Sequence, residues 1–497
     1  MTSLKSVLLT SKNIAWLLLL TTLAFLVQGY HPGWEDDGVY LSAIKKQLHP
    51  QLYPYDSDFF QVQLQATIFD KLIAQSIRLS SIPLATAVLI WQLVAIFLVL
   101  WGSWQISRKC FAEAHAQWAA VSMVACLLTL PVSGSGLYLI DQHLHPRSFA
   151  TAAILGAVVV VVENRRLLAS VLLVIAFVLH PIMAAFGISY CFFLAYKRPS
   201  WLGSKSPQWR SIETAAFFVP LGWIFEPCSD AWRQAASTRS SYLLQKWEWY
   251  ELLGAVAPLA LLWWFSRVAR RNRSPVMEHI ALRLVLFGLF QFTIACLIML
   301  PPSLERLRPL QPMRFLHLVY WFLLLMAGGL IGRYVLRRHV YRWLLLFAPL
   351  AAAMFYAQRQ TLPSTEHLEL PGRPSTNAWV EAFDWVRQNT PTNSLFALDP
   401  YYMMLSGEDY HSFRALAERS ALADYVKDPA VVTQVPRLAE RWQREVNAGL
   451  DWRNFEVADF RRLRRDFGVN WVVLAGPGVP GIYCPYQSTP VLVCRLE

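Results

Sequence analysis

Residues 30–60 read YHPGWEDDGVYLSAIKKQLHPQLYPYDSDFF and follow directly on the first hydrophobic segment of the chain. The stretch holds five carboxylates: Glu35, Asp36, Asp37, Asp56 and Asp58. Aromatic residues of the kind that prefer a lipid–water interface surround them. Charged side chains beside a membrane are costly and are often functional. The position therefore predicts a catalytic acid or base that acts on a lipid-borne substrate.

A second interpretation of the same carboxylates is helix capping. Apolar residues within 41–48 recur at helical spacing, so Asp36 or Asp37 could cap the helix that they predict. Asp58 stands three residues before a glutamine, which predicts a capping box for a helix over residues 58–78. Both interpretations remain open at this point.

The composition predicts an α-helical polytopic membrane protein. Of the 497 residues 55% are hydrophobic, 21 are Trp, and the mean hydropathy is +0.33. From Gln358 to the end there are 15 basic and 17 acidic residues, so the whole net charge of +12 lies before Gln358. There it occurs in short clusters between apolar segments, as in cytoplasmic loops, and this excludes a nucleic-acid surface. The sequence has no zinc-type cysteine spacing, phosphate-binding glycine loop, GxSxG elbow or internal repeat.

Apolar runs and basic clusters together predict about eleven spans in residues 1–357, with an acidic first outer loop at 30–81. The predicted spans are residues 14–27, 82–104, 118–130, 149–162, two short helices within 167–196, 214–227, 252–265, 280–300, 315–331 and 343–357. No small-x-small cleavage site follows the first, so we expect an uncleaved anchor with a cytoplasmic N-terminus.

The run 167–196 decides the orientation of everything after it. Basic residues flank both of its ends, and His180-Pro181 stands in its middle. We interpret it as a hairpin of two short helices that turns at the proline. The alternative is one long tilted helix, which would invert the downstream topology.

Residues 358–497 predict a small extracytoplasmic α/β domain. Trp379, Phe383 and Val386 mark one face of a helix, and residues 437–467 are charged and helical in pattern. Short β-type runs occur at residues 395–398, 471–474, 482–484 and 491–495. Cys484 and Cys494 flank the last pair, and we expect them to form a disulfide in an oxidising compartment.

Basic residues in loops predicted to face outward suggest an anion site. DQHLHPRSFA (141–150) and SLERLRPLQPMRFLH (303–317) are such loops, and the hairpin tip is a third position. Arginine binds phosphate bidentately, which suits a polyprenyl-phosphate carrier whose tail lies in the bilayer. The alternative is that these side chains pair with loop carboxylates or reach lipid headgroups. The predicted donor-phosphate residues are Arg147, Arg314, His143, His145 and His180.

His143 and His145 are two residues apart, so an extended backbone would point both side chains the same way. With a carboxylate they could hold a divalent metal, but no further ligand spacing supports such a site. We assign no metal ligand, and the cofactor is left unknown.

The motifs in combination resemble the GT-C superfamily of integral-membrane glycosyltransferases, and more closely a group of bacterial membrane proteins regarded as GT-C-like. The resembling stretches are WEDDGVYL (34–41), LYPYD (52–56), HPRSFAT (145–151), HPIM (180–183) and QPMR (311–314). The resemblance implies many spans, a catalytic acidic motif with amphipathic helices in the first outward loop, and a soluble C-terminal domain. It also implies a sugar donor linked to a polyprenyl carrier. The acidic motif departs from the DE pair of several such families, so the choice between Asp36 and Asp37 stays open.

The leading prediction is an inverting glycosyl transfer at the outer face of the cytoplasmic membrane. Glu35, Asp36 and Asp37 form the candidate catalytic set, with Asp36 or Asp37 as general base. Arg147 and Arg314 would neutralise the departing phosphate. The predicted partners are a lipid-linked sugar donor and membrane lipid, with no nucleic acid and with protein partners left open. Alternatives are a lipid-intermediate flippase, which should show mid-membrane charges and repeated halves, and a non-catalytic scaffold.

Overall fold

The fold is mostly helical up to residue 361. The computed structural model describes residues 10–196 and 226–496, so the predicted span at 214–227 lies almost wholly outside the described residues. The helices of this part are α1 Ser11–Gln28, α2 Asp37–Leu48, α3 Asp58–Gln65, α4 Phe69–Ser80, α5 Leu84–Cys110, α6 Ala114–Cys126, α7 Pro146–Val162, α8 Arg166–Leu179, α9 Pro181–Ala195, α10 Asp230–Ser237, α11 Trp249–Arg271, α12 Pro275–Met299, α13 Leu316–Ile331 and α14 Val340–Thr361.

Six of the described helices are long and apolar enough to cross a membrane. They are α1, α5, α11, α12, α14 and the segment Pro312–Leu336 that contains α13. The helices α7, α8 and α9 are apolar but shorter. The sequence-based count of about eleven spans is therefore not confirmed, although a membrane protein built of helices is what the chain forms.

The break predicted at His180-Pro181 is confirmed. Helix α8 ends at Leu179, α9 begins at Pro181, and the two helices contact each other and α7. Proline at the first position of α9 needs no backbone hydrogen-bond donor, which is why the helix can start there. The alternative interpretation, one continuous helix over residues 167–196, is therefore wrong.

The helix predicted over residues 58–78 is instead two helices, α3 and α4. The chain leaves the helical path at residues 66–68, and Ile68 N donates to Val178 O at 3.1 Å. Val178 lies in the last turn of α8, where carbonyl groups have no partner within the helix. A contact between distant segments thus overrides the local pattern.

Helices α6 and α13 pack without intervening side chains. A Cβ placed on Gly328 would lie 2.7 Å from Ala119 O, and one placed on Gly332 would lie 2.5 Å from Ala119 Cβ. Small residues allow such close approach of membrane helices. The packing fixes the direction of α13, at whose start Arg314 stands.

A five-stranded sheet forms the core of the C-terminal region. Its helices are α15 Ala378–Asn389, α16 Phe413–Ala417, α17 Asp428–Gln434, α18 Ala439–Ala448 and α19 Val457–Phe467. Two short strands, β1 Pro131–Val132 and β2 Leu137–Tyr138, precede the sheet strands β3 Leu395–Ala397, β4 Ser420–Ala421, β5 Trp471–Ala475, β6 Tyr483–Ser488 and β7 Val491–Arg495. The sheet order is β4-β3-β5-β7-β6, parallel from β4 to β5 and antiparallel beyond. The predicted disulfide Cys484–Cys494 joins the last two strands. The region 437–467, predicted to be helical, contains the two helices α18 and α19.

The first outer loop and the C-terminal region are packed as one unit. Trp34 forms a β-bridge with His411, and Tyr53 Oη donates to Arg414 O at 2.9 Å. Arg414 also forms an ion pair with Asp56. The acidic loop is therefore covered by residues that follow it by more than 350 positions.

Candidate functional site

A small cavity lies where the first outer loop, several helix starts and the C-terminal region meet. Its volume is about 50 Å³. It is lined by Asp36, Val39, Tyr40, His145, His180, Ile182, Arg239, Gln311, Arg314, Lys427, Ala430, Val431 and Gln434. One carboxylate, three permanent cations and two imidazoles thus share one enclosed space.

Two of these residues, His145 and His180, start helices in the same way. Each is the N-cap of a helix that has proline at its first position, α7 for His145 and α9 for His180. His145 Nδ1 accepts from Arg147 N at 3.0 Å, and His180 Nδ1 accepts from Met183 N at 3.4 Å. A neutral ring that accepts at Nδ1 carries its proton on Nε2. Each histidine is therefore a cap and also leaves a neutral donor beside the cavity.

The imidazoles of His145 and His180 are stacked, with centroids 5.9 Å apart. The N-termini of α7 and α9 consequently lie side by side. Helix N-termini carry partial positive charge and unpaired N–H groups, which favour an anion.

The two arginines predicted to share an anion occupy different positions. Arg314 lines the cavity, on the short 3-10 turn Pro312–Phe315 before α13. Arg147 is 2% exposed and lies behind the lining, where its Nη2 donates to Asp141 Oδ1. Its Nε and Nη1 have no hydrogen-bond partner among the described residues. Buried donors without partners are costly, so this guanidinium is equipped to bind a further acceptor.

Lys427 immediately precedes α17, and its side chain contacts the acidic loop at one side of the cavity. Its Nζ lies 2.5 Å from Glu35 Oε2 and 3.4 Å from Asp36 Oδ1. Burial alone would raise the pKa of Asp36, but the positive charges of Lys427, Arg239 and Arg147 outweigh it and hold that pKa well below its usual range. The side chain of Asp36 is 34% exposed.

Asp37 has a different environment from its neighbour. It is buried, and its Oδ2 accepts from Gly33 N at 2.7 Å. Burial raises its pKa, although His143 and the Gly33 N–H act in the opposite direction. Asp37 is the first residue of α2 and Asp36 its N-cap residue, yet the Asp36 side chain makes no capping hydrogen bond. Asp36 at the cavity is therefore explained by its charged neighbours rather than by a cap.

The other acidic residues of the loop lie elsewhere. Asp56 is fully buried in the ion pair with Arg414. Asp58 is 55% exposed and lies 3.9 Å from an Arg441 nitrogen. Both serve to attach the loop to the C-terminal region.

Like Arg147, the predicted donor-phosphate residue His143 does not line the cavity. It is buried against Trp34, with ring centroids 6.0 Å apart, and 5.9 Å from the ring of His145. Within residues 10–196 and 226–496, no group of three or more histidine, cysteine or carboxylate side chains is arranged to hold a metal ion. Neither ring nitrogen of His143 has a hydrogen-bond partner among these residues.

Five polar residues of the lining were not among the predicted site residues: Tyr40, Arg239, Gln311, Lys427 and Gln434. Arg239 lies between the predicted spans 214–227 and 252–265, in a loop predicted to face outward, so the rule that selected Arg147 would have selected it. Lys427 is the one lysine among the 15 basic residues from Gln358 onward. Its separation of 391 residues from Asp36 leaves no local signal of the contact.

Comparisons with known proteins were made with sequence and with structure. No family model matches the sequence, and neither does any curated protein. The fold is similar to that of the oligosaccharyltransferase of Archaeoglobus fulgidus in its apo form, at 11% identity and a TM-score of 0.47, over 93% of this chain and 69% of that one.

Two further structures from the same organism are similar. One is the oligosaccharyltransferase AglB in complex with an inhibitory peptide and a dolichol-phosphate, at 11% identity and a TM-score of 0.48, over 93% of this chain and 69% of that one. The other is the complex with Zn and sulfate, at 13% identity and a TM-score of 0.41, over 92% and 67%.

Proposed function

We propose that the protein is a membrane glycosyltransferase that moves a sugar from a polyprenyl-phosphate donor to an acceptor hydroxyl at the outer face of the cytoplasmic membrane. The observation that carries the proposal is the convergence of Asp36 with Arg239, Arg314 and Lys427 on one cavity at the N-termini of two membrane helices. A carboxylate opposite an anion site is what transfer from a phosphate leaving group requires.

In the proposed reaction the acceptor oxygen attacks the anomeric carbon of the donor. The new C–O bond forms as the bond from the anomeric carbon to the phosphate oxygen breaks, and the electron pair leaves with the phosphate. Asp36 takes the acceptor proton. Arg314 and the Nε2–H groups of His145 and His180 stabilise the negative charge that develops on the phosphate.

The low pKa of Asp36 fits this reaction only when the donor is bound. Lys427, Arg239 and Arg147 depress the proton affinity of the free carboxylate. A bound phosphate would offset those charges, and the pKa of Asp36 would then rise towards its ordinary value. The base would thus become effective in the presence of its donor.

The cavity must open before a sugar can enter. Its volume of about 50 Å³ holds a few water molecules, whereas pockets for small-molecule ligands measure roughly 300–1,000 Å³. Lys427 is the group to move, because its side chain pairs with both Glu35 and Asp36 across the cavity. The donor phosphate would replace Asp36 as the partner of Lys427.

The orientation follows from the charge clusters at the two ends of the membrane helices. Helix α7 runs from the cavity to Glu163, which pairs with Lys109 at 2.6 Å, and its 17 residues span about 25 Å. We place that basic end, with Arg165 and Arg166, in the cytoplasm and the C-terminal region outside. Residues 1–357 form the proposed transmembrane domain and residues 358–497 the proposed extracytoplasmic domain.

The test is transfer by the purified full chain in lipid nanodiscs. It is supplied with a panel of polyprenyl-phosphate sugars and the release of polyprenyl phosphate is measured. Asp36→Asn should reduce the rate by about 10²-fold or more, because an amide cannot take the proton. Asp58→Asn is the matched control, since Asp58 is an exposed carboxylate of the same loop. Equal rates for wild type and Asp36→Asn would exclude Asp36 as the base.

A further inference from the structure

A second cavity lies in the C-terminal region, on the sheet rather than on the membrane helices. Its volume is about 410 Å³, within the range of ligand pockets. Aromatic side chains provide much of its wall: Trp379, Trp452, Phe455 and Phe460. Asp399 and Arg453 also line it, together with the loop 475–479.

The position of this cavity in the sheet is one at which ligands bind in other α/β folds. From β3 the chain goes to β4 on one side and then returns to β5 on the other, and both neighbours are parallel to β3. The crevice at the carboxyl ends of β3 and β5 is therefore a topological switch point. Asp399 follows β3, and Gly476 follows β5, so the cavity opens at that crevice.

Two polar side chains of the wall, Trp379 and Asp399, are buried. Trp379 is 2% exposed, and its indole N–H has no hydrogen-bond partner among the described residues. Asp399 is also buried, and it uses Oδ1 to accept from Tyr401 N at 2.8 Å. A buried indole donor is normally paired, so a missing partner at a cavity wall points to a ligand acceptor.

The lining selects a neutral ligand with hydroxyl groups. One carboxylate and one guanidinium balance in charge, which gives no excess for a phosphate. No helix starts after β5, because the chain turns through Gly476 and Gly478 and continues as β6, so the phosphate cradle of nucleotide-binding α/β folds is lacking there. Flat aromatic walls with a few fixed polar groups suit the two faces and the rim of a sugar ring.

We propose that this crevice binds a neutral saccharide, with Trp379 Nε1–H and Asp399 as hydrogen-bond partners and Arg453 at the rim. The site is separate from the cavity at Asp36. The segments that line the two cavities contact each other: Pro400 O accepts from Tyr425 N at 2.9 Å, and the rings of Tyr401 and Tyr425 lie 4.5 Å apart. Saccharide binding here does not depend on the proposed transfer reaction.

Saturation-transfer NMR on the full chain in nanodiscs tests the site. The probes are the methyl glycosides of glucose, galactose and N-acetylglucosamine, with uridine monophosphate as the alternative class. Trp379→Phe keeps the ring and removes the donor, and Asp399→Asn removes the charge. We expect each variant to weaken binding of a methyl glycoside by about threefold to tenfold, the effect of one hydrogen bond.

Controls separate this site from folding and from the transfer site. Arg453→Ala changes an exposed residue, so it should weaken binding without affecting the fold. Asp384→Asn alters an exposed carboxylate outside the cavity and should leave binding unchanged. Asp36→Asn should also leave it unchanged, whatever its effect on transfer. Absence of glycoside binding, binding that is equal in the Trp379, Asp399 and Arg453 variants, or preference for the nucleotide would overturn the proposal.

Discussion

Arg147 and Arg414 are both buried arginines beside buried carboxylates, yet they differ in what their nitrogens do. Arg414 is 8% exposed and uses Nε, Nη1 and Nη2 to contact Asp56, Asp428 and two backbone carbonyls. Arg147 is 2% exposed and uses Nη2 alone, on Asp141. The protein supplies hydrogen-bond partners to all three nitrogens of the Arg414 guanidinium, but to only one nitrogen of the Arg147 guanidinium.

The difference separates a structural ion cluster from a candidate binding group. A saturated buried cation stabilises the fold because it keeps several carboxylates paired, and it has no donor left for a ligand. An unsaturated one is costly to keep in the fold unless something else binds it. Substitution should therefore affect stability at Arg414 and ligand affinity at Arg147.

The largest effect is expected for Arg414→Met. It would leave Asp56, Asp424 and Asp428 together in a buried site, which costs about 3–5 kcal/mol of unfolding free energy. The measurement is thermal unfolding in detergent. Arg387→Met, at an exposed ion pair with Asp384, is the control and should change the unfolding free energy by less than about 1 kcal/mol. An unchanged unfolding temperature for Arg414→Met would mean that the cluster does not anchor the loop.

Both ring nitrogens of His411 have protein partners, as the nitrogens of Arg414 do, and its pKa predicts that the stability of the fold depends on pH. Its Nδ1 contacts Glu408 O at 3.0 Å and its Nε2 contacts Glu369 Oε1 at 3.2 Å. Burial would lower the pKa of His411, but the charge of Glu369 outweighs it and raises that pKa to about 9.

Because the folded-state pKa of His411 is raised, its contribution is fully present below the ordinary value near 6.5 and is lost as pH rises through about 9. The loss is on the order of 3 kcal/mol, from about 1.4 kcal/mol per pKa unit. Unfolding temperatures measured from pH 6 to pH 10 should fall for the wild type and stay flatter for His411→Gln. His339→Gln, at an exposed histidine, should follow the wild type.

Sequence patterns predicted local features well and brought Asp36, His145, His180 and Arg314 into one candidate set, but they predicted few of the other distant contacts. The proline after His180 indicated the helix break, and short β-type runs indicated β5 and β7 in the final sheet. Histidine is an uncommon cap, so nothing local indicated that His145 and His180 start two adjacent helices. The break at Ile68 depends on Val178, and the position of Asp36 depends on Lys427. Both contacts join residues far apart in the chain, which a periodicity within one segment does not encode.

The next prediction concerns replacement by lysine at Arg147 and at Arg414. Lysine keeps the charge and loses the planar fork. Arg147→Lys should weaken binding of polyprenyl phosphate by about tenfold or more, since a charge-assisted hydrogen bond is lost, and should change stability little. Arg414→Lys should lower the stability and change the binding of polyprenyl phosphate little. Binding of polyprenyl phosphate is measured by titration calorimetry on the protein in nanodiscs.

Arg314→Lys and the double variant complete that test. If Arg147 and Arg314 bind one phosphate, the losses should be strongly non-additive. Near-additive, small losses would indicate two separate headgroup contacts and would remove the anion site from the proposal.

The smallest effect is expected for Asp37→Asn, one position from the proposed base. Burial raises the pKa of Asp37, which means that the fold disfavours its charged form relative to the unfolded chain, and an asparagine oxygen can still accept from Gly33 N. A raised carboxyl pKa makes wild-type stability fall as pH rises above the ordinary value of about 3.8, and the asparagine variant lacks that loss. We expect Asp37→Asn to be within about 1 kcal/mol of the wild type at neutral pH, no less stable at high pH, and to retain transfer within about threefold. Unfolding and transfer are measured on the same nanodisc preparation as Asp36→Asn. Loss of transfer at Asp37 with retention at Asp36 would move the base to the buried carboxylate, where a raised pKa and not a depressed one would define its chemistry.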